Sequence, residues 1–270
     1  MFKETVDFKI GILGCGTMGR QIALLFAKHG FSVKVWDVVD RSSLEKVFEK
    51  CRPEIKEKIQ ITTDLSQMND CDFIEECVIE DDKIKKDLYS KLSSFISDKT
   101  IVATNTSSLS IKELSESIKY PENFIGVHFF NPVDKVDLVE AIFLSSTLSL
   151  NKDVVINLLK SIQRKPVFVS DTAGFIVNRL LIPMINEAAK LLEQNAASAE
   201  EIDEAMHLGA RHRIGPLTLG DFIGLDVCLA IMKNLNLRLK NDKFNISPLL
   251  EKKVSEGNLG RKTGKGFYEY

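Results

Sequence analysis

The stretch Lys9 to Asp37 reads KIGILGCGTMGRQIALLFAKHGFSVKVWD, and the order of its residue types decides the fold. An apolar run (Ile10, Ile12, Leu13) feeds Gly14, Gly16 and Gly19, a helical segment follows, and a second apolar run ends in Asp37. Strand, glycine turn, helix, strand and acid in this order form a dinucleotide-binding fingerprint. Gly14 permits the tight turn, Gly16 lets the backbone approach a pyrophosphate, and Gly19 lets the helix pack on the strand. The pyrophosphate then meets free N–H groups at a helix start, where the dipole favours an anion. Asp37 follows Gly19 near the spacing of about 20 residues at which a carboxylate accepts from ribose hydroxyls. It would repel a 2′-phosphate, so NAD is expected rather than NADP.

At 270 residues the chain has room for one large domain or two smaller ones. A hydrophobic content of 44% with 27% charged residues is ordinary for a globular protein. The net charge of −2 offers no long-range attraction to nucleic acid or an anionic membrane. The opening MFKETVDFK has neither the apolar stretch of a signal peptide nor an Arg-rich leader, and no later run is long enough to span a bilayer. Cys15, Cys51, Cys71, Cys77 and Cys228 are odd in number and form no CxxC pair. They read as reduced thiols of a cytoplasmic protein, with no disulfide frame and no metal site expected. Cys15, inside the glycine loop, reads as a small tolerated side chain rather than a redox sensor.

Beyond Asp37, Ser43 to Ile59 reads as a charged surface helix interrupted near Pro53. Phe73–Ile79 reads as a strand ending in Glu80, and Ile84, Leu88, Leu92 and Phe95 recur at near-helical spacing. Strands are expected at Thr100–Thr104, Phe124–Phe129 and Val167–Ser170. Strands alternating with helices imply a parallel, doubly wound sheet. Past about Gly174 the pattern becomes helical: Asn178 to Glu193, then a helix opened by the Ser198-x-x-Glu201 capping box and ended at Gly209. Pro216 and Ser247-Pro248 precede two further helices, with strand signal only in the last few residues. The expected fold class is α/β, a Rossmann-type sheet domain over residues 1–172 followed by an all-α domain over 173–270.

Four polar residues stand in unusual surroundings. Ser107 lies in Asn105-Thr106-Ser107-Ser108, directly after an apolar strand, at the edge where open α/β sheets bind ligands. His128 sits in Val127-His128-Phe129-Phe130, before Asn131-Pro132; Glu140 interrupts Leu138-Val139-Ala141-Ile142; Asn178 opens the first helix of the second part. Oxidation of an alcohol requires a base for the hydroxyl proton while a nicotinamide takes the hydride. Histidine suits that transfer, and a carboxylate on its other ring nitrogen fixes the tautomer and stabilises the imidazolium. By residue type alone, His128 also fits a satisfied core histidine, Glu140 a structural ion pair, and Ser107 and Asn178 helix caps.

Across nearly its whole length the chain resembles the 3-hydroxyacyl-CoA dehydrogenase family. The resemblance is carried by Gly14–Gly19, Asn105–Ile111, GVHFFNP (Gly126–Pro132), Leu138–Glu140, GFIVNRLL (Gly174–Leu181), GPLTLGDFIGLD (Gly215–Asp226) and RKTGKGFYEY (Arg261–Tyr270). It implies His128 as general base, Glu140 as its orienting partner, and Ser107 and Asn178 as substrate contacts. It implies NAD contacts from the glycine loop, with Thr17 and Met18, and from Asp37, Glu80, Lys85, Asn131 and Lys262. It further implies a homodimer formed through the helical domain, with the active site between the two domains. Three features depart from the pattern. The segment from Asp37 to Ser107 leaves room only for a much-shortened form of the helical arm that contacts coenzyme A. Ala173 replaces the usual proline before Gly174-Phe175. Arg211-His212-Arg213-Ile214 brings a basic cluster where Pro-Met is usual, which reads either as a solvated loop or as a docking patch for an acidic partner. The expectation is therefore an NAD-dependent oxidoreductase acting on a 3-hydroxyacyl thioester. The open alternatives are an acyl group on acyl carrier protein, a free 3-hydroxy acid, and a non-catalytic NAD-binding module.

Overall fold

The computed structural model describes residues 8–270, so the opening of MFKETVDFK, read above for targeting signals, lies outside the described residues. The chain divides into two compact units, one up to Thr172 and one from Ala173 to Tyr270.

The first unit runs β1 (Lys9–Leu13), α1 (Thr17–Lys28), β2 (Ser32–Trp36), α2 (Arg41–Val47), α3 (Pro53–Lys56), β3 (Ile59–Thr62), β4 (Phe73–Glu76) and α4 (Asp82–Leu92). It continues through β5 (Ile101–Thr104), α5 (Ile111–Ser115), β6 (Phe124–Phe129), β7 (Leu138–Ile142), α6 (Ser149–Ser161) and β8 (Lys165–Val169). The strands form one sheet in the order β3-β2-β1-β4-β5-β6-β7-β8. β1 hydrogen-bonds β2 on one side and β4 on the other, so the strand order reverses at β1 and the glycine turn opens at that switch point. Strands β4, β5 and β6 are buried at every residue, which explains their unbroken apolar runs: helices cover both faces. On one face, Ile10, Ile12, Phe73, Ala103 and Val127 join Ile22, Ala23 and Phe26 of α1 in the main core. Phe26 meets Phe31 edge-on at 5.7 Å, and its truncation to Ala would cost about 3–5 kcal/mol.

Several expectations are corrected. The sheet is not wholly parallel: β7 runs antiparallel to β6, placing Glu140 opposite His128. The connection Phe130 to Asp137 is too short for a parallel crossover, which needs about a dozen residues or more, so the chain turns back. The helix expected over Ser43 to Ile59 is instead α2 and α3, with Pro53 in the first turn of α3. Ile59 opens a strand, because Ile59 and Ile61 alternate with Gln60 and pack against the main core. Strand β4 stops at Glu76 rather than running to Glu80. Helix α4 ends at Leu92, and its buried stripe is Lys85, Leu88, Tyr89 and Leu92, which leaves Ile84 and Phe95 exposed. Strand β8 begins at Lys165 because its register is set by β7.

The second unit comprises α7 (Val177–Glu193), α8 (Ala199–Ala210), α9 (Pro216–Ile223), α10 (Leu225–Leu239) and α11 (Pro248–Ser255). Both halves of the Ser198–Glu201 capping box form, and α8 runs one residue past Gly209 before Arg211 closes it at a left-handed φ of 57°. The last residues form isolated bridges of Lys265 with Gly260 and Glu269 rather than a strand. Among the described residues no helix is long and apolar enough to cross a membrane.

Candidate active site

The glycine loop at the end of β1 is shaped by close packing. Gly14 has a φ of 91°, and a Cβ there would lie 2.8 Å from the Val78 nitrogen. A Cβ on Gly19 would overlap the Gly14 carbonyl oxygen, whereas nothing lies within 4 Å of a Cβ on Gly16. The loop is therefore tight below and open above, as a ligand approaching its backbone requires. No side chain caps α1 at Gly16, so the first-turn N–H groups of Thr17, Met18 and Gly19 are free for an anion.

Asp37 closes one side of this loop. One carboxylate oxygen accepts from the Cys15 N–H at 2.6 Å and the other from the Val38 N–H at 2.6 Å. A cleft of about 540 Å³ opens beside it, lined by Gly14, Gly16, Trp36, Asp37, Val38, Ile79 and Ile84 among others. Val38 and Ile84, both exposed, give this cleft apolar surface. This set fits a dinucleotide on three counts, namely the open glycine, the uncapped helix start and the acid. The Cys15 thiol is buried, and desolvation with the nearby Asp37 carboxylate pushes it up to about 11, so it stays protonated as an inert side chain.

At the end of β4 two carboxylates share a buried lysine. Lys85 is 1% exposed and donates to both oxygens of Glu76 at 2.7 and 2.9 Å, with Glu80 at 3.4 Å. Burial alone would depress the lysine, but Glu76 and Glu80 outweigh it and hold it above its ordinary value. Tyr89 and Thr104 also donate to Glu76. The Glu80 carboxylate reaches the loop after β5. It accepts from the Thr106 hydroxyl at 2.6 Å, the Ser107 N–H at 2.8 Å and the Ser108 hydroxyl at 2.9 Å. Burial would raise Glu80, yet Lys85 and these donors keep it below its usual value, so it is an anion that organises the Ser107 loop. The same loop is tied to the next strand by Asn105, which accepts from the Phe129 N–H at 2.8 Å.

His128, on β6, is buried, and its Nδ1 lies 2.9 Å from Oε2 of Glu140, itself 1% exposed. The register that opposes the two residues makes this contact. With the Nδ1 proton on the Glu140 side, Nε2 is left as the basic nitrogen. Asn131 follows on the loop and accepts from the Gln21 amide at 3.0 Å, and Gln21 in turn accepts from the Val133 N–H at 2.9 Å.

Two of the expected residues belong to the second unit. Asn178 is the second residue of α7, whose capping position is Ile176, so the helix-cap reading does not apply to it. Ser107 is not a cap either: Ser110 caps α5. Lys262 is paired with both carboxylate oxygens of Asp226 at 2.5 and 2.6 Å. The Arg211–Arg213 cluster is no simple basic patch, because Arg213 shares a cleft with Glu200, Asp203, Glu204 and His207.

Sequence reasoning missed four residues that hold these groups in place. Glu76 was legible by the signal that marked Glu140, an acid in an apolar run. Gln21 had no signal. Asp171 accepts from the Ser110 hydroxyl at 2.8 Å and the Lys112 N–H at 2.9 Å, pinning α5 from 61 and 59 residues away. Asp221, in the second unit, accepts from the Phe267 and Tyr268 N–H groups and so anchors the C-terminal peptide.

Two family models match the chain: "3-hydroxyacyl-CoA dehydrogenase, NAD binding domain" over residues 9–172 and "3-hydroxyacyl-CoA dehydrogenase, C-terminal domain" over residues 174–270. The chain is 44% identical to a 3-hydroxybutyryl-CoA dehydrogenase of Clostridioides difficile, covering 97% of this chain and 99% of the relative. That alignment runs over 283 positions, more than this chain has residues, so the relative carries residues with no counterpart here. Among solved structures, the (S)-3-hydroxybutyryl-CoA dehydrogenase of Ralstonia eutropha matches with a TM-score of 0.89 at 37% identity, covering 97% of this chain and 98% of that one. The FadB2 protein of Mycobacterium tuberculosis matches with a TM-score of 0.93 at 30% identity, covering 98% and 99%.

Proposed function

The chain belongs to the 3-hydroxyacyl-CoA dehydrogenase family, and from that premise we propose that it interconverts a 3-hydroxyacyl thioester of coenzyme A and its 3-oxoacyl form, with His128 as general base. It is an oxidoreductase with NAD as cofactor, and bound NAD supplies the hydride acceptor. The observation that carries the role of His128 is its 2.9 Å contact with buried Glu140.

In the oxidising direction, Nε2 of His128 takes the substrate hydroxyl proton. Glu140, accepting at Nδ1, stabilises the imidazolium that results, much as in other His–carboxylate pairs. Glu140 is 1% exposed, so little water lies between it and the histidine to weaken their contact. The Ser107 hydroxyl, on a loop held by Glu80, donates to the substrate oxygen. Asn178 keeps the substrate-contact role implied by the resemblance. Gly14, Gly16, Thr17, Met18 and Gly19 bind the pyrophosphate, Asp37 the adenosine ribose, and Asn131 the nicotinamide side. Glu80 and Lys85 act on the cofactor side chiefly by holding the Ser107 loop, and Lys262 is assigned to the cofactor by resemblance alone.

Coenzyme A is favoured as the carrier over acyl carrier protein, because the acids around Arg213 would repel an acidic protein partner. Five free cysteines suit a reducing cytoplasm. The second unit exposes Leu180, Leu208 and Leu237, apolar surface of the kind a homodimer covers. Light scattering after size exclusion tests this, and a monomer at micromolar concentration would count against it.

The deciding assay is NADH oxidation with acetoacetyl-CoA beside acetoacetyl-acyl carrier protein and free acetoacetate. Turnover of the coenzyme A thioester supports the proposal. Turnover of only one of the other two reassigns the carrier, and turnover of none removes the dehydrogenase reading.

A further inference from the structure

Gln21 stands one turn into α1 and uses both N–H groups and the oxygen of its side-chain amide. Its Oε1 accepts from the Val133 N–H at 2.9 Å. Its Nε2 donates to the Thr17 carbonyl and to Oδ1 of Asn131, both at 3.0 Å. Taken alone, a side-chain amide is ambiguous, because a half-turn exchanges its oxygen and nitrogen. Here backbone groups remove the ambiguity at both ends. The Val133 N–H can only donate, so the Gln21 atom facing it is the oxygen. The Thr17 carbonyl can only accept, so the atom facing it is the nitrogen. That nitrogen in turn requires the oxygen of Asn131 opposite it, which leaves Nδ2 as the outer end of Asn131. Asn131 is exposed, and its Nδ2 protons have no acceptor among the described residues.

The same side chain joins two distant parts of the chain. Thr17 opens α1, whose first turn is uncapped, while Asn131 and Val133 lie 110 and 112 residues beyond Gln21, in the loop after β6. That loop is anchored from a second direction, since the carbonyl of buried Val133 accepts from Arg164 at 3.1 Å. The Asn131 amide therefore cannot turn over without losing its bond to Gln21. Given the reading above that sets Asn131 on the nicotinamide side, on which this inference rests, we propose that Gln21 is a positioning residue for the cofactor. It holds Asn131 as a hydrogen-bond donor, matched to the carbonyl oxygen of the nicotinamide carboxamide rather than to its amino group. A carboxamide held by its oxygen keeps one orientation, and the ring attached to it is held with it.

The test is calorimetric titration of wild type, Gln21→Met, Asn131→Ala and the double variant with three ligands. These are NADH, its reduced 3-acetylpyridine analogue, which keeps the carbonyl oxygen and lacks the amino group, and ADP-ribose, which lacks the nicotinamide. Gln21→Met, of similar size and uncharged, should raise Kd for NADH and for the analogue alike by about three- to tenfold and leave ADP-ribose unchanged. Asn131→Ala should do the same, and the double variant should bind no worse than Asn131→Ala alone. An equal loss with ADP-ribose would make Gln21 a mere support of the first turn of α1 and overturn the proposal. So would additive losses in the double variant, or an Asn131→Ala loss confined to NADH, which would show that Asn131 accepts from the amino group. A loss in Asn131→Ala with none in Gln21→Met would refute the role of Gln21 alone. No loss in Asn131→Ala would remove Asn131 from the cofactor, and the proposal with it. Every readout is binding, so the outcome is independent of which acyl substrate turns over.

Discussion

Nδ1 of His128 and Oε2 of Glu140 lie 2.9 Å apart because the two residues are directly opposed in an antiparallel pair of buried strands. Neither side chain can turn away without breaking this contact inside the sheet, so the imidazole is oriented before substrate arrives. Replacing His128 by Gln should lower kcat about 10²–10⁴-fold with NADH binding retained. Trp36, the single tryptophan, lines the nucleotide cleft and reports that binding by its fluorescence. Unchanged turnover would remove His128 from the mechanism, and a binder without catalysis would show no activity in wild type either.

Glu140→Gln keeps the shape but lets the imidazole choose its tautomer and removes the anion that supports the imidazolium. The expected result is a large fall in kcat, with little change in KM for NADH and an altered pH–rate profile. A variant that changed only the melting temperature would show that Glu140 is structural.

Glu75 is fully buried on β4 between Ile12 and Ala103, and neither carboxylate oxygen has a hydrogen-bond partner. Burial raises its carboxyl well above the ordinary value of 4.5; the neighbouring Glu76 raises it further, and Lys85 opposes. A carboxyl raised in the folded state contributes stability in full below its unfolded value, and that contribution is lost as pH rises through the folded one. Wild-type protein should therefore lose stability from about pH 5 upward relative to Glu75→Leu, which should be more stable at pH 7.5 by about 1–3 kcal/mol. Chemical denaturation of both proteins across pH 5–9 measures this, and parallel curves would refute it.

Asp37 spends one oxygen on Cys15 and the other on Val38 while facing the nucleotide cleft. Asp37→Ser should raise KM for NADH roughly tenfold and narrow the preference for NADH over NADPH, since the repelling charge is gone. Steady-state kinetics with both cofactors decides it; an unchanged ratio would place the ribose elsewhere.

Asp171 clamps the first turn of α5, three residues beyond the Ser107–Ser108 pair held by Glu80. Asp171→Ala should cost about 1 kcal/mol in denaturation and raise KM for the acyl substrate, with Asp171→Asn recovering part of the loss. Full stability in the alanine variant would show that Ser110 caps the helix unaided.

The amino-acid order by itself determined whatever is local. The glycine turn, the acid closing β2, the capping box at Ser198 and the helix from about Asn178 to Glu193 follow from residue types a few positions apart. The family motifs likewise named His128, Glu140, Ser107 and Asn178, because each stands inside a short recognisable run. The tertiary structure alone decided which distant groups meet. Only the reversal of β7 opposes Glu140 to His128, and only the sheet order brings Glu80 to Ser107 across 27 residues. Gln21 reaches Asn131 across 110 residues, and Asp171 reaches Ser110 across 61. Propensity and periodicity act through neighbours along the chain, whereas these pairings depend on strand register and on how long a connection must be to cross a sheet. Those constraints act only once the strands have paired.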